Sequence, residues 1–360
     1  MRGKLPTMEI VLERIRNCID RRLNIDNLHL TELPPLPNNL IYLNCGFNQL
    51  TSLPPLPPSL EELQCNGNEL TSLPPLPSSL LKLYCYGNRL TSLPELPPFL
   101  TFLKCDDNEI TSLPSLPSSL VVLMCRSNQL TSLPAFPDSL TDMICNHNQL
   151  TSIPTLPSTF LSLVCSHNQL TTLPELPPSL TDCICIHNQL TALPPLPPQL
   201  FLLACCHNKL TSLPPLAEHL RVLICATNQL ISLPELPDSL QYLDCNTNQI
   251  RILPSLPRGV VTLGCEKNPL ETLPELPPGL TGLTCELPIY DHTIDLRQMA
   301  PETVQALNKD IQAWTNYLIQ ESKERSLKRC KEYKEGIMMK VWHPSRVEKL
   351  LEMGYDIEDM

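Results

Sequence analysis

The sequence predicts an α/β solenoid: short coils stacked in line, each giving one strand to a parallel sheet, with helical caps at both ends. Three observations predict it. The chain of 360 residues repeats itself every twenty residues from about residue 30 to 285, with no insertion or deletion. Cysteine recurs in one phase of the repeat, from Cys45 and Cys65 to Cys285, and asparagine in another, from Asn48 to Asn268. Most of the 40 prolines fall in the same phase of the repeat, so a composition that usually signals disorder belongs here to an ordered array.

The chain opens on MRGKLPTMEIVLERIRN, which has no apolar stretch followed by a cleavage site. No run of about 18 apolar residues occurs, so a membrane span is not expected. We therefore expect a cytoplasmic protein, not secreted through a signal peptide, whose 17 cysteines stay reduced. Thr7 is a fair N-cap for a helix over residues 8–22, with Ile10, Val11, Ile15, Cys18 and Ile19 as its apolar stripe. Residues 1–30 then form an N-terminal cap with a degenerate half-repeat from Leu23 to Leu30.

Residues 31–290 hold about thirteen repeats. In the unit Leu40-x-x-Leu43-x-Cys45-x-x-Asn48-x-Leu50, Leu43 and Cys45 point one way from a strand, and residues 42, 44 and 46 the other. The second half, Leu53-Pro54-x-Leu56-Pro57, lacks donors and has φ held near −65°, which predicts a polyproline-like return rather than a helix. Cysteine is small and apolar enough for a thin interior. Each asparagine sits where the chain leaves its strand, placed to bond backbone groups of the turn and of the next coil.

The pattern L-x-x-L-x-C-x-x-N-x-L resembles the leucine-rich repeat, and the twenty-residue LPxLP form is most similar to the repeats of bacterial secreted effectors. The resemblance covers about 255 of the 360 residues. It implies a horseshoe or superhelix with a concave parallel sheet that binds protein partners. Effectors of this kind often carry a ubiquitin-ligase domain with a C-x-D nucleophile. Here Cys18-Ile19-Asp20 lies before the repeats, and too few residues follow them for that domain, so ligase activity does not carry over. The opening KLPTMEIVLERI faintly resembles an F-box. An adaptor that recruits ubiquitin machinery, or a structural virion component, is therefore the alternative reading.

Residues 291–360 are expected to form a C-terminal helical segment. Val304, Leu307, Ile311, Trp314 and Leu318 keep a helical apolar spacing, and residues 323–340 carry seven Lys/Arg against three Glu. The ending VWHPSRVEKLLEMGYDIEDM resembles C-terminal segments of large DNA virus proteins, which implies an origin rather than a mechanism.

The net charge of −11 is concentrated in the repeats, a poor surface for nucleic acid or anionic membrane. Nucleophile–base pairs, phosphate loops and carboxylate dyads do not appear at diagnostic spacing, so no enzyme activity, cofactor or metal is expected. His147, His167, His187 and His207 form a second ladder, read as local duplication ahead of a metal site. The candidate partner-binding residues face outward on the sheet. Tyr84, Tyr86 and Phe102 form an aromatic rim. Met124, Ile144, Val164, Ile184 and Ile224 make an apolar column, with Ile186 and Leu202 beside it. A folded chain rarely exposes such a strip without a binding role, although strand propensity or a covering terminal segment would also account for it. The partner's identity and the oligomeric state are not legible.

Overall fold

A computed structural model describes residues 7–18 and 20–285. A helix, α1 (Thr7–Arg16), precedes fourteen three-residue strands, one every twenty residues. They run from β1 (Arg22–Asn24) and β2 (Tyr42–Asn44) through β4 (Lys82–Tyr84), β5 (Phe102–Lys104), β6 (Val122–Met124) and β12 (Tyr242–Asp244) to β14 (Gly282–Thr284). All join one parallel sheet in sequence order. The register never slips: Leu43 pairs with Leu63, Leu63 with Leu83, and so on along the array. This is the predicted solenoid, a stack of parallel coils.

The core is one continuous column. From Leu40 to Leu270 the residues equivalent to Leu40, Leu43, Cys45 and Leu50 are fully buried in every unit, and Leu53 and Leu56 pack against them. The proline half forms neither helix nor strand and ends in a turn closed by Leu60 N donating to Pro57 O at 3.1 Å. Ser59 Oγ then donates to Leu40 O of the preceding coil at 2.8 Å. One unit has few apolar side chains to set against the entropy of ordering twenty residues, so each coil depends on its neighbours.

Asparagine does what its position requires. Asn148 Nδ2 donates to Cys145 O in its own turn and to Cys125 O of the previous coil, both at 3.0 Å, and its Oδ1 accepts from Leu130 N at 3.0 Å. The same bonds recur from Asn48 to Asn268. The residue before each asparagine has positive φ, glycine at Gly67 and Gly87 but His147, His167, His187 and His207 in the middle. At Gly67 a Cβ would meet the Phe47 ring at 2.7 Å, so this position admits no larger residue without moving the ring.

The expected helix over residues 8–22 is shorter. It stops at Arg16, Arg21 takes φ 59°, and Arg22–Asn24 is already the first strand. What reads as a half-repeat at Leu23–Leu30 is therefore the first coil of the sheet. Its neighbour β2 supplies the backbone partners that outweigh the helical spacing: Ile25 N donates to Asn44 O at 2.8 Å. Val11 is buried on this coil, and Arg14 Nη1 donates to Asn24 O at 2.7 Å. The segment expected over 291–360, with its seam and its ending, lies outside the described residues.

Candidate functional site: the outward face of the sheet

Leucine fills the inward centre of nearly every strand, so what distinguishes one repeat from the next is the pair of outward side chains. Over β2 to β5 these are aromatic, charged or, at Asn44 and Gln64, amide side chains, and most are half-buried. Tyr84 packs on Phe102 with ring centroids 4.9 Å apart. Lys104 Nζ lies 4.3 Å above the Tyr86 ring and 3.9 Å from Asp106. Arg22 covers the Tyr42 ring at 4.1 Å, and Lys82 lies 4.0 Å from Glu62. This rim offers flat aromatic surface next to fixed positive charge, a composition common where proteins meet.

The middle of the face departs from the expectation. The sequence places Met124, Ile144, Val164, Ile184, Leu202 and Ile224 on an open surface. All but Leu202 fall in one unbroken column, since Met124 pairs with Ile144, Ile144 with Val164 and Val164 with Ile184, and Ala204 joins Ile184 to Ile224; Leu202 pairs with Asp182 and Val222 in the neighbouring column. They are, however, only 1–4 % exposed, and Phe102 is equally buried. Tyr84, Tyr86 and Ile186 remain half-buried. The column is apolar, which explains why its burial is favourable, at about 25 cal/mol per Å² removed from water.

Sequence reading overlooked the parallel column beside it. Asp142, Ser162 and Asp182 face outward and are also almost fully buried. Thr141 Oγ1 donates to Asp142 at 2.6 Å, and Thr181 Oγ1 to Asp182 at 2.7 Å. The signal was present in the recurring Thr-Asp pair at 141–142 and 181–182. Two further carboxylates sit deep in the face. Burial pushes Asp106 up to about 6, although Arg126 N donates to it at 2.8 Å; burial likewise pushes Asp244 up to about 6.

The two side-chain ladders differ in chemistry. Among the described residues all sixteen cysteines are free thiols. Burial raises those of the ladder, with Cys45 and Cys145 pushed up to about 12, so they are packing groups rather than nucleophiles. Cys18, of the C-x-D motif, is also raised by burial and by nearby Asp20, the reverse of an activated thiolate. The histidines stack face to face at an exposed edge of the sheet, with ring centroids 4.2, 4.3 and 3.9 Å apart. Partial burial and then neighbouring imidazoles lower His167 to about 4. In parallel rings the in-plane lone pairs run side by side and do not converge on one ion. Among the described residues no cluster of three or more His, Cys, Asp or Glu could hold a metal. No described helix is long and apolar enough to cross a membrane.

Comparison with known proteins agrees with this architecture. A family model described as leucine-rich repeats (two copies) matches residues 38–78. The solved structure of YopM, a leucine-rich effector protein from Yersinia pestis, is 36% identical; the alignment covers 79% of this chain and 88% of that one, with a TM-score of 0.67. The functional domain of InlJ from Listeria monocytogenes, which includes a cysteine ladder, is 25% identical over 74% of this chain and 67% of its own, with a TM-score of 0.58. A chain of the octameric complex of latrophilin 3, Unc5D and the leucine-rich-repeat protein FLRT2 shares the fold at 20% identity, covering 79% of this chain and 96% of that one, with a TM-score of 0.53. No curated protein sequence matches the chain. The class defined by sheet, core and asparagine ladder is the repeat solenoid that serves as a protein-interaction scaffold, typically without enzymatic activity. Within that class, the chain belongs to the leucine-rich-repeat family.

Proposed function

We propose that this protein is a non-catalytic scaffold that captures a protein partner on the outward face of its sheet, in the cytoplasm, in the manner of an effector acting on another cell's proteins. One observation carries the reading. The inward positions repeat almost without change, whereas the outward positions vary from coil to coil and gather Tyr42, Tyr84, Tyr86, Arg22, Lys82 and Lys104 at one end. A surface needed only for folding has no reason to concentrate rigid aromatics and fixed cations, which are the side chains that dominate binding energy at interfaces. The similarity to a leucine-rich effector supports the effector-like reading. The sixteen free thiols fit a reducing compartment.

The test is site-specific photo-cross-linking from the intact chain. A photoreactive side chain at Lys82 is expected to trap a discrete partner, and the same group at exposed Glu95, on the proline side, is not. Trapping from Glu95 but not from Lys82 would move the binding surface to the other side of the coil.

A further inference from the structure

The cysteine ladder changes character at its C-terminal end. From Cys45 to Cys265 every member is wholly shielded from solvent, whereas Cys285, on the coil of β14, is half-buried. The thiols also differ in what they face. Cys105 Sγ donates to Met124 O at 3.4 Å and Cys245 Sγ to Gly264 O at 3.2 Å, each on the following coil. Cys265 instead shares a hydrogen bond with the thiol of Cys285. Register brings the two together. The strand β13 (Thr262–Gly264) pairs with β14 residue for residue, and Cys265 N donates to Thr284 O at 2.8 Å. The cysteines that follow these strands therefore lie side by side, one strand spacing apart. That spacing, about 4.8 Å, falls within the Cα separation of about 4.4–6.8 Å that a disulfide bridges. Cys183 and Cys185 also hydrogen-bond to each other, but both are sealed between neighbouring coils.

We propose that Cys265 and Cys285 form a redox modification site, in which a small hydroperoxide joins them as a disulfide that fastens the coil of β14 to the one before it. The half-buried member reacts first. The Cys285 thiolate attacks one oxygen of hydrogen peroxide; an S–O bond forms, the O–O bond breaks, and the departing hydroxide takes up the proton the thiol released and leaves as water. The Cys265 sulfur then attacks the sulfur of the Cys285 sulfenic acid; the S–S bond forms, the S–O bond breaks, and the hydroxyl leaves as water with the Cys265 proton. The two thiols give up two electrons, and one peroxide becomes two waters. The hydrogen bond to Cys285 and then burial keep Cys265 protonated, which suits the member that supplies the second proton. The link closes a loop of one repeat and restricts the unfolded freedom of that coil.

The test is to treat the full chain with hydrogen peroxide, alkylate the remaining thiols under denaturing conditions, and map the tryptic peptides by mass. Cleavage after Lys267 puts the two cysteines on separate peptides. A Cys265–Cys285 linked pair is expected, reversed by dithiothreitol, with Cys183 and Cys185 still reduced. Oxidation is expected to slow hydrogen exchange of the β13 amides at least about tenfold and to leave β6 unchanged. Cys285→Ser, at the half-buried position, is expected to fold and to lose both effects; the comparison of wild type before and after dithiothreitol stands even if the variant does not fold. No linked pair in the folded protein, equal oxidation of Cys183 and Cys185, or Cys285 joined to any other cysteine would overturn the site. A linked pair that leaves β13 exchange unchanged would overturn the fastening.

Discussion

Asn148 bonds four buried backbone groups on two successive coils, and it does so with one short side chain. Removing it leaves those groups without partners in the core, where each unsatisfied group costs about 1–3 kcal/mol. Asn148→Ala is expected to lower unfolding stability by about 2–4 kcal/mol in a urea titration, with Asn88→Ala similar because its bonds are the same. An effect under about 0.5 kcal/mol at both sites would contradict the bonding scheme. The ladder cysteines give a complementary expectation. Fully buried thiols raised far from their ordinary range are to stay unlabelled by alkylating reagents in the native state and react together on unfolding. Asparagine and cysteine were legible in the sequence because each recurs in a single phase. The buried Asp142 and Asp182 were less so, because a carboxylate on a strand reads as a wet residue until its surroundings are known.

The histidine ladder is an element in its own right, four rings on four successive coils. Burial and then mutual proximity lower His167 to about 4, and lower His147 and His207 as well, with Arg126 adding to the effect at His147 and Asp107 opposing it. A histidine whose folded form resists protonation makes the unfolded state bind more protons, so stability falls as pH drops from about 6.5 toward 4. Asp106 and Asp244 act in the opposite sense over nearly the same range, since both are raised toward 6 by burial. The informative quantity is therefore a difference. His167→Asn/His187→Asn keeps a residue tolerant of positive φ and is expected to reduce the loss of stability between pH 6.5 and 4 relative to wild type, read as urea midpoints. Equal losses in both proteins would show that stacking carries no charge penalty. At the N-terminal end, Val11→Asp puts a charge where α1 covers the first coil, and is expected to expose the β1 amides to hydrogen exchange well before those of β6. Simultaneous exchange along the sheet would mean that α1 protects nothing locally. The helix itself was visible in the sequence, but its end was not. The apolar spacing ran past Arg16, and only a neighbouring strand could claim Arg22–Asn24 for the sheet.

The whole molecule is the most legible level, because a fixed period of twenty dictates that every coil stack on the last in one register. The sequence also identified the apolar column from Met124 to Ile224 correctly as a stack, yet misjudged its exposure. Periodicity says which way a side chain points, and not what lies above it. The division of the sheet into an accessible aromatic end and a buried apolar centre is thus a property of the assembled chain. Another protein is expected to bind at the accessible end. The most direct measurement is the partner's affinity for wild type against Tyr84→Ala/Tyr86→Ala, with the thermal midpoint of each protein recorded alongside. Both tyrosines are half-buried and lie outside the leucine–cysteine core, so the fold is expected to persist. Binding is expected to weaken at least about tenfold, a cost of about 1.4 kcal/mol, with little change in melting. Undiminished affinity in a folded double variant would contradict it.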